Sequence, residues 1–308
     1  MEKRLFGKTG FEVSVLGFGA APAAFLQTEP QQAGKMLNDL LNSGMNVVDT
    51  AASYPGSEEF LGNAISHRRG EFVLISKCGT KQPGLEGQDW SRDLIRQSVD
   101  RSLRLLKTDV IDVMLLHSCD LATLQKGEAI AALVEARQAG KIRFAGYSGD
   151  NDAAAWAADH PEFAAIETSV NITDQINIDM VLPRTRANNL GVIAKRPIAN
   201  AAWKEIEQQE GMYRSYARVY TERLRQMKLT PAELGFGGAP AEVWPEIALR
   251  FTLSQEGVHT AIIGTTKPQN AQQNRDIAAK GPLPPRVVEQ IRQAFRAADP
   301  NGGWRGQT

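Results

Sequence analysis

Short apolar runs and longer amphipathic stretches alternate along most of this chain. Short runs bounded by turn residues read as strands, and apolar residues recurring every three or four positions read as helices. The pattern predicts a first strand near Val15 to Gly19, then strands at 46–49, 72–77, 110–116, 142–147, 164–169, 191–195 and 260–264, eight in all. Helices are predicted at 30–43, 57–67, 91–106, 127–139, 151–158, 178–189, 243–255 and 268–279, with a last one from 285 to about Ala298.

Several helix ends are legible. Ser91, with Asp93 and Asp100, opens the run Leu94, Ile95, Val99, Leu103, Leu106 at helical spacing. Gly44 and Gly140 stop two helices just before the next strand, where a left-handed cap needs a residue without Cβ. The order is strand then helix, with crossovers long enough for parallel strands. Eight such units in 308 residues predict one α/β domain over 1–308, a closed (β/α)8 TIM barrel with long loops at its C-terminal face. Two apolar stretches around Gly7-Lys8-Thr9-Gly10 predict a short hairpin ahead of it. The rival is an open doubly wound sheet, which needs a glycine-rich turn between its first strand and first helix. Gly17-Phe18-Gly19-Ala20-Ala21-Pro22 has two of the glycines but meets a proline, and no immediate helix is expected there.

Residues 199–242 break the rhythm between the seventh strand and its helix. Met212 to Met227 has its own helical pattern, and Gly235 to Pro240 is loop-like. Insertions of this kind build a lid or substrate wall; the plainer alternative is an extra packing helix. The tail 299–308 is expected to be flexible unless Trp304 docks.

Composition narrows the function classes. The chain is 42% hydrophobic and 23% charged, and its formal net charge is zero, so nothing points to a nucleic-acid partner. The opening Met1–Gly7 lacks the apolar stretch of a secretory leader. No apolar run approaches the roughly 20 residues that span a bilayer. The expectation is a cytoplasmic protein with no membrane partner, monomeric by default. Cys78 and Cys119 read as buried free thiols. His67, His160 and His259 show no metal-ligand spacing, so no metal is expected.

Four polar residues sit at or just beyond predicted strand ends: Asp49, Tyr54, Lys77 and His117. In a β/α barrel such ends converge at the mouth, where reactions take place. Singly, each has an ordinary structural explanation. Together they suit proton delivery to a carbonyl during hydride transfer. Tyr54 is the candidate general acid. A free phenol has a pKa of roughly 10 and is a reluctant donor at neutral pH. Lys77 is expected to lower it, Asp49 to hold the lysine, and His117 to orient the carbonyl with a share in the proton. The hydride must come from a nicotinamide, because no side chain supplies one.

These residues carry a resemblance to the aldo-keto reductases. The matching segments are Val48-Asp49-Thr50-Ala51 with Tyr54, Ile75-Ser76-Lys77, Leu115-Leu116-His117-Ser118, Gly146-Tyr147-Ser148, Gly191 to Pro197 and Ala261 to Pro268. The likeness runs from residue 4 to about 298. It implies a one-domain barrel that reduces aldehydes or ketones with NADPH in preference to NADH, and without a metal. It makes Asp49, Tyr54, Lys77 and His117 the catalytic tetrad, and Ser148 the serine that holds the nicotinamide carboxamide. There are departures. Gly149 stands where asparagine is usual, Glu167 where glutamine is usual, and Lys195 where many relatives stack an aromatic ring on the nicotinamide. Asn171 fits an asparagine common in relatives. At the eighth strand end the resemblance implies that Gly264, Thr265 and Lys267 hold the adenosine phosphates. Asn270 replaces an arginine that often grips the 2′-phosphate, with Lys267 in compensation, and Asn274 matches an adenine contact.

The expected activity is NAD(P)H-dependent reduction of a small carbonyl compound. Two other classes fit less well. A cofactor-binding redox-sensing subunit is the alternative: the intact tetrad argues against loss of chemistry but is compatible with slow turnover in a binding role. A barrel lyase or isomerase conflicts with the phosphate-site match. Substrate walls are expected from the loops near 20–29, 80–90, 118–127 and 199–242 and the tail, with Trp90, Trp203, Tyr213, Tyr216, Tyr220 and Trp304 as candidate wall residues.

Overall fold

The computed structural model describes residues 1–25, 29–209, 213–265 and 267–307, without the side chains of residues 23, 25, 213, 215 and 216. Two short strands, β1 (Lys3–Leu5) and β2 (Glu12–Ser14), form an antiparallel hairpin. Eight parallel strands follow: β3 (Leu16–Gly19), β4 (Val47–Asp49), β5 (Val73–Cys78), β6 (Ile111–His117), β7 (Ile142–Ser148), β8 (Phe163–Ser169), β9 (Gly191–Lys195) and β10 (Thr260–Ile263). Each pairs with the next, and β10 returns to β3, so the sheet closes into the expected barrel.

Strand alternation decides what faces the barrel axis. Val47, Val73, Ile75, Val113, Leu115, Ala165 and Ile193 form one interior cluster, which includes Phe6 and Val13 from the hairpin end. Their alternate neighbours, among them Leu74, Met114, Leu116, Ile166, Val192 and Ala194, pack into the outer cluster with the helices. Phe6 is fully buried against β9. A Cβ on Gly191 would lie 2.6 Å from its ring carbons, so this strand start has room only for glycine.

Most helices lie where the periodicity places them. The Ser91 hydroxyl accepts from the Leu94 N–H at 3.4 Å and caps Arg92–Leu106. Gly44 and Gly140 have φ of 87° and 73°, the left-handed conformation expected after their helices. Four local differences have physical causes. A five-residue helix, Ala21–Phe25, does follow β3, because a proline in the first helical turn costs nothing. The stretch 178–189 is two short helices, Ile176–Met180 and Leu182–Ala187, since Pro183 brings no N–H to a continuous helix. A helix Leu121–Lys126, capped by Asp120 and ended by Gly127, precedes Glu128–Gln138. The helix Ser57–Ile65 gives way to 3-10 turns over Ser66–Glu71.

The helix Tyr213–Met227 of the inserted segment packs with Pro240–Leu253 and Pro285–Ala298 in a second apolar cluster containing Tyr220, Leu224, Trp244, Phe251, Ile291 and Phe295. The tail is docked rather than flexible. Trp304 sits edge-on to Phe295 with ring centroids 5.1 Å apart, beneath the Arg223 guanidinium at 5.2 Å. Beyond it Gly306 and Asn151 exchange two hydrogen bonds. No helix among the described residues is long and apolar enough to cross a membrane.

Candidate active site

The rows that fill the barrel change character at the C-terminal end. Two residues beyond Val47, Ile75, Leu115, Ala165 and Ile193 stand Asp49, Lys77, His117, Glu167 and Lys195. The period of two therefore aims these polar side chains where apolar ones point a layer below. Register brings three together: His117 pairs with Ser148 across β6 and β7, and Ser148 pairs with Glu167 across β7 and β8.

Lys77 is fully buried and is the hub. Its Nζ donates to both Asp49 carboxylate oxygens at 2.7 Å and to the Thr50 carbonyl at 3.0 Å. It also lies 3.2 Å from Glu167 Oε2. That approach is an ion pair without hydrogen-bond alignment, and Oε2 has no hydrogen-bond donor among the described residues. Tyr54, in the turn after β4, presents its ring 5.5 Å from the Lys77 ammonium and 5.8 Å, edge-on, from the His117 ring. Ser53 Oγ is 3.2 Å from His117 Nδ1. The four residues expected to act together are thus neighbours.

Burial and charge set their protonation. Burial pulls the Lys77 ammonium toward neutrality, but Asp49 and then Glu167 push harder, and the lysine holds its proton more tightly than usual. The Asp49 carboxyl is raised, by burial first and Glu167 second, against the pull of Lys77. Tyr54 is pushed up to about 12. Burial is the largest cause. Lys77 does favour the phenolate, as expected, but it does not win, so the expected net lowering is not found. His117 is driven well below its ordinary range by burial and by Lys77, Lys195 and Arg196. A neutral imidazole orients a carbonyl by hydrogen bonding but carries no imidazolium proton to share.

A cavity of about 560 Å³ opens over this group. Asp49, Tyr54, His117, Ser148, Glu167, Lys195, Gly264, Thr265, Lys267 and Asn270, all singled out from sequence, line it. Asn274 does not. It is buried one turn further along the helix Pro268–Ala279. Asn171 is also buried away from the cavity, accepting from the Thr173 N–H and hydroxyl. The Gly149 departure has a steric cause: a Cβ there would lie 2.3 Å from the Tyr147 hydroxyl, which donates to the Cys119 carbonyl at 2.7 Å. Lys195 is tied by its ammonium to Asp150 at 2.9 Å. The Asp150 carboxyl is held below its ordinary range, because Lys195 and Arg196 outweigh the opposing effect of burial.

Sequence reasoning missed Ser53, Asp150 and Arg196, while most of the loop after β9 falls within the segment 199–242 expected as a wall. That loop contributes Arg196, Asn200, Ala201, Lys204, Gln208 and Gln209 to the lining. Ala199, Asn200 and Ala201 are all left-handed, with φ of 46°, 48° and 54°. Such backbone is strained for residues with a Cβ. Gln209 Nε2 pins it by donating to the Asn200 and Ala201 carbonyls at 3.1 Å. Alanine carries no sequence signal for this conformation. The start of the inserted segment therefore walls the cavity, while its helix contributes no lining among the described residues.

The aromatic walls are not where they were expected. Trp90 packs on Gly79, Trp203 stacks on Trp244, Tyr220 donates to Asp174 at 2.8 Å, and Trp304 docks the tail on Phe295. None of these lines the cavity. The Tyr213 and Tyr216 side chains lie outside the described residues. Cys78 and Cys119 are free and buried, and burial raises both thiols, Cys119 to about 12, which makes them poor nucleophiles. Among the described residues no group of three or more His, Cys, Asp or Glu is placed to hold a metal ion.

The lining fits a nicotinamide dinucleotide in its donor chemistry. Hydroxyl, amide and carboxylate groups gather near Tyr54 and His117. At β10 there are the backbone of Gly264 and Thr265, the Lys267 ammonium and a helix N-terminus, a set that suits phosphate. A closed parallel barrel whose mouth holds a buried Lys–Asp pair beneath a tyrosine and a histidine defines a class of oxidoreductase barrel. The chain belongs to the aldo/keto reductase family, whose model matches residues 15–296. It is 27% identical to L-galactose dehydrogenase of Arabidopsis thaliana over 289 residues, 89% of this chain and 87% of the relative. It is 29% identical to the uncharacterized oxidoreductase YqkF of Bacillus subtilis, over 89% and 90% of the two chains. The solved structure of the aldo-keto reductase AKR11C1 from Bacillus halodurans in its holo form superposes with a TM-score of 0.78 at 26% identity, covering 96% of each chain. Membership supports NAD(P)H-dependent oxidoreductase activity in general.

Proposed function

We propose that the protein reduces an aldehyde or ketone to the alcohol with NADPH, Tyr54 giving the proton. The observation that carries this reading is the convergence of Tyr54, His117 and Asp49 on one cavity, with Lys77 buried against Asp49 and Tyr54, and with Lys267 and a helix N-terminus also at its lining. The cofactor, when bound, supplies the hydride. Neutral His117 hydrogen-bonds the carbonyl oxygen, held in place by Ser53. Tyr54, still a phenol at neutral pH, donates to that oxygen as negative charge develops there. Lys77 stabilises the phenolate left behind, and Asp49 keeps Lys77 in position. Ser148 and Glu167 serve the carboxamide end, with Lys195 beside them. Gly264, Thr265, Lys267 and Asn270 serve the phosphates, with Asn274 behind them toward adenine. Lys204 also lines the cavity and, with Lys267, supports the preference for NADPH over NADH. The polar wall of Asn200, Gln208 and Gln209 suits a small hydroxylated carbonyl compound, in line with a relative named for L-galactose.

The test is consumption of NADPH and NADH, followed by absorbance, with short aliphatic, aromatic and sugar aldehydes. Turnover that is faster with NADPH supports the proposal. Tight cofactor binding with no turnover on any of them would overturn it in favour of a cofactor-sensing role.

A further inference from the structure

Ser53 lies in the turn after β4, one residue before Tyr54, and it too lines the cavity. That turn is fixed to the neighbouring strand. The Ala52 N–H donates to the Lys77 carbonyl at 3.0 Å, and the Tyr54 N–H to the Ala51 carbonyl at 3.0 Å. The turn therefore presents two side chains to one ring. Tyr54 lies edge-on to His117, and Ser53 Oγ is 3.2 Å from His117 Nδ1. Among the described residues this is the one hydrogen bond of the Ser53 hydroxyl.

A neutral imidazole carries its proton on one nitrogen, and the partner of that nitrogen decides what the other can do. The surroundings keep this ring neutral. Burial disfavours its charge, and so do Lys77 on β5 and Lys195 and Arg196 at the end of β9. Tyr54 beside it is an uncharged phenol, and Ser148, its partner on β7, does not titrate. The Asp49 and Glu167 carboxylates are engaged with Lys77. With its proton on Nδ1 the ring would donate to Ser53 and leave Nε2 a bare lone pair, which repels a carbonyl oxygen. With Ser53 donating, Nδ1 is satisfied as an acceptor and Nε2 keeps an N–H to give.

We propose that Ser53 is a positioning residue, whose hydroxyl donates to His117 Nδ1 and so keeps the imidazole proton on Nε2, the nitrogen that hydrogen-bonds the substrate carbonyl. This rests on the carbonyl-reduction reading above. A carboxylate in place of the hydroxyl would do the opposite, because an acceptor-only group draws the proton to Nδ1. The turn that supplies the proton donor Tyr54 thereby also sets the tautomer of the histidine beside it.

The test reads the tautomer directly. Long-range proton–nitrogen correlation spectra of histidine-labelled protein, with His117→Asn assigning one of the four imidazoles, show which nitrogen carries the proton. The proposal expects a protonated Nε2 and a bare Nδ1 in the wild type; a proton on Nδ1 would overturn it. Kinetics with NADPH and a short aldehyde give a second readout. Ser53→Ala should lower kcat roughly threefold to tenfold, the worth of one hydrogen bond, with NADPH affinity unchanged, and Ser53→Thr should restore it. In Ser53→Asp the carboxylate takes the proton on Nδ1 and bares Nε2. Near neutral pH its kcat should fall further, on the order of a hundredfold, as for loss of a donor to a developing oxyanion. It should recover as pH falls and a second proton makes the ring a donor on both sides. Ser53→Asp no slower than Ser53→Ala, with no recovery in acid, would assign Ser53 a packing role and overturn the proposal. If the Ser53 variants do not fold, the wild-type spectrum decides. Absence of turnover on every carbonyl compound would remove the reduction reading instead, and the spectrum would still decide the tautomer.

Discussion

Glu167 stands 3.2 Å from the ammonium of Lys77, on which the two oxygens of Asp49 also converge at 2.7 Å. The lysine therefore has a second buried counter-ion, and its two partners are not equally exposed to loss. Lys77→Met would leave two carboxylates facing each other without a cation. Breaking a buried pair in this way costs about 3–5 kcal/mol. Asp49→Asn leaves Lys77 paired with Glu167 and should cost clearly less. Urea unfolding of the two variants measures the difference, and equal losses would contradict the shared arrangement.

The raised phenol gives a pH signature. Tyr54 at about 12 stays protonated, so carbonyl reduction should hold a plateau between about pH 6 and 9. The reverse reaction needs the phenolate and should rise steadily with pH over that range. A fall in reduction with a midpoint near neutrality would mean that another group is the acid. Neutral His117 predicts no such step of its own.

Lys267 is exposed at the cavity's β10 side and is the cation nearest in sequence to the helix Pro268–Ala279. Lys267→Ala should weaken NADPH binding roughly fivefold to tenfold, the size of one exposed charge-assisted phosphate contact, and change NADH binding little. Equal weakening of both cofactors, measured by titration, would place Lys267 away from the 2′-phosphate.

At the opposite end of the barrel, Gly191→Ala drives a methyl into the Phe6 ring. Overpacking of this kind costs about 1–3 kcal/mol. A thermal melt should show the loss, and an unchanged melting temperature would mean that the hairpin yields freely.

The barrel was legible because its signals are local and periodic. Alternation fixed the inward rows, and the same alternation carried Asp49, Lys77 and His117 to the mouth. Ser91, Gly44 and Gly140 marked helix ends through capping chemistry that needs no tertiary context. What stayed hidden depends on distant partners. Nothing near Glu167 in sequence says that it reaches Lys77, ninety positions away. Left-handed Ala201 is held by Gln209, against its own preference. The aromatic residues gave hydrophobicity but no direction, and Trp203 and Trp304 went to the outer packing instead of the cavity. The net effect on Tyr54 turned on a balance between burial and Lys77, which residue identities alone do not weigh.

The central claim is that Tyr54 delivers the proton. The most direct test compares wild type and Tyr54→Phe for NADPH affinity and for aldehyde reduction under saturating cofactor. The account predicts nearly unchanged affinity and a loss of turnover of roughly two orders of magnitude or more. Full turnover in Tyr54→Phe, with a folded protein and normal NADPH binding, would contradict it.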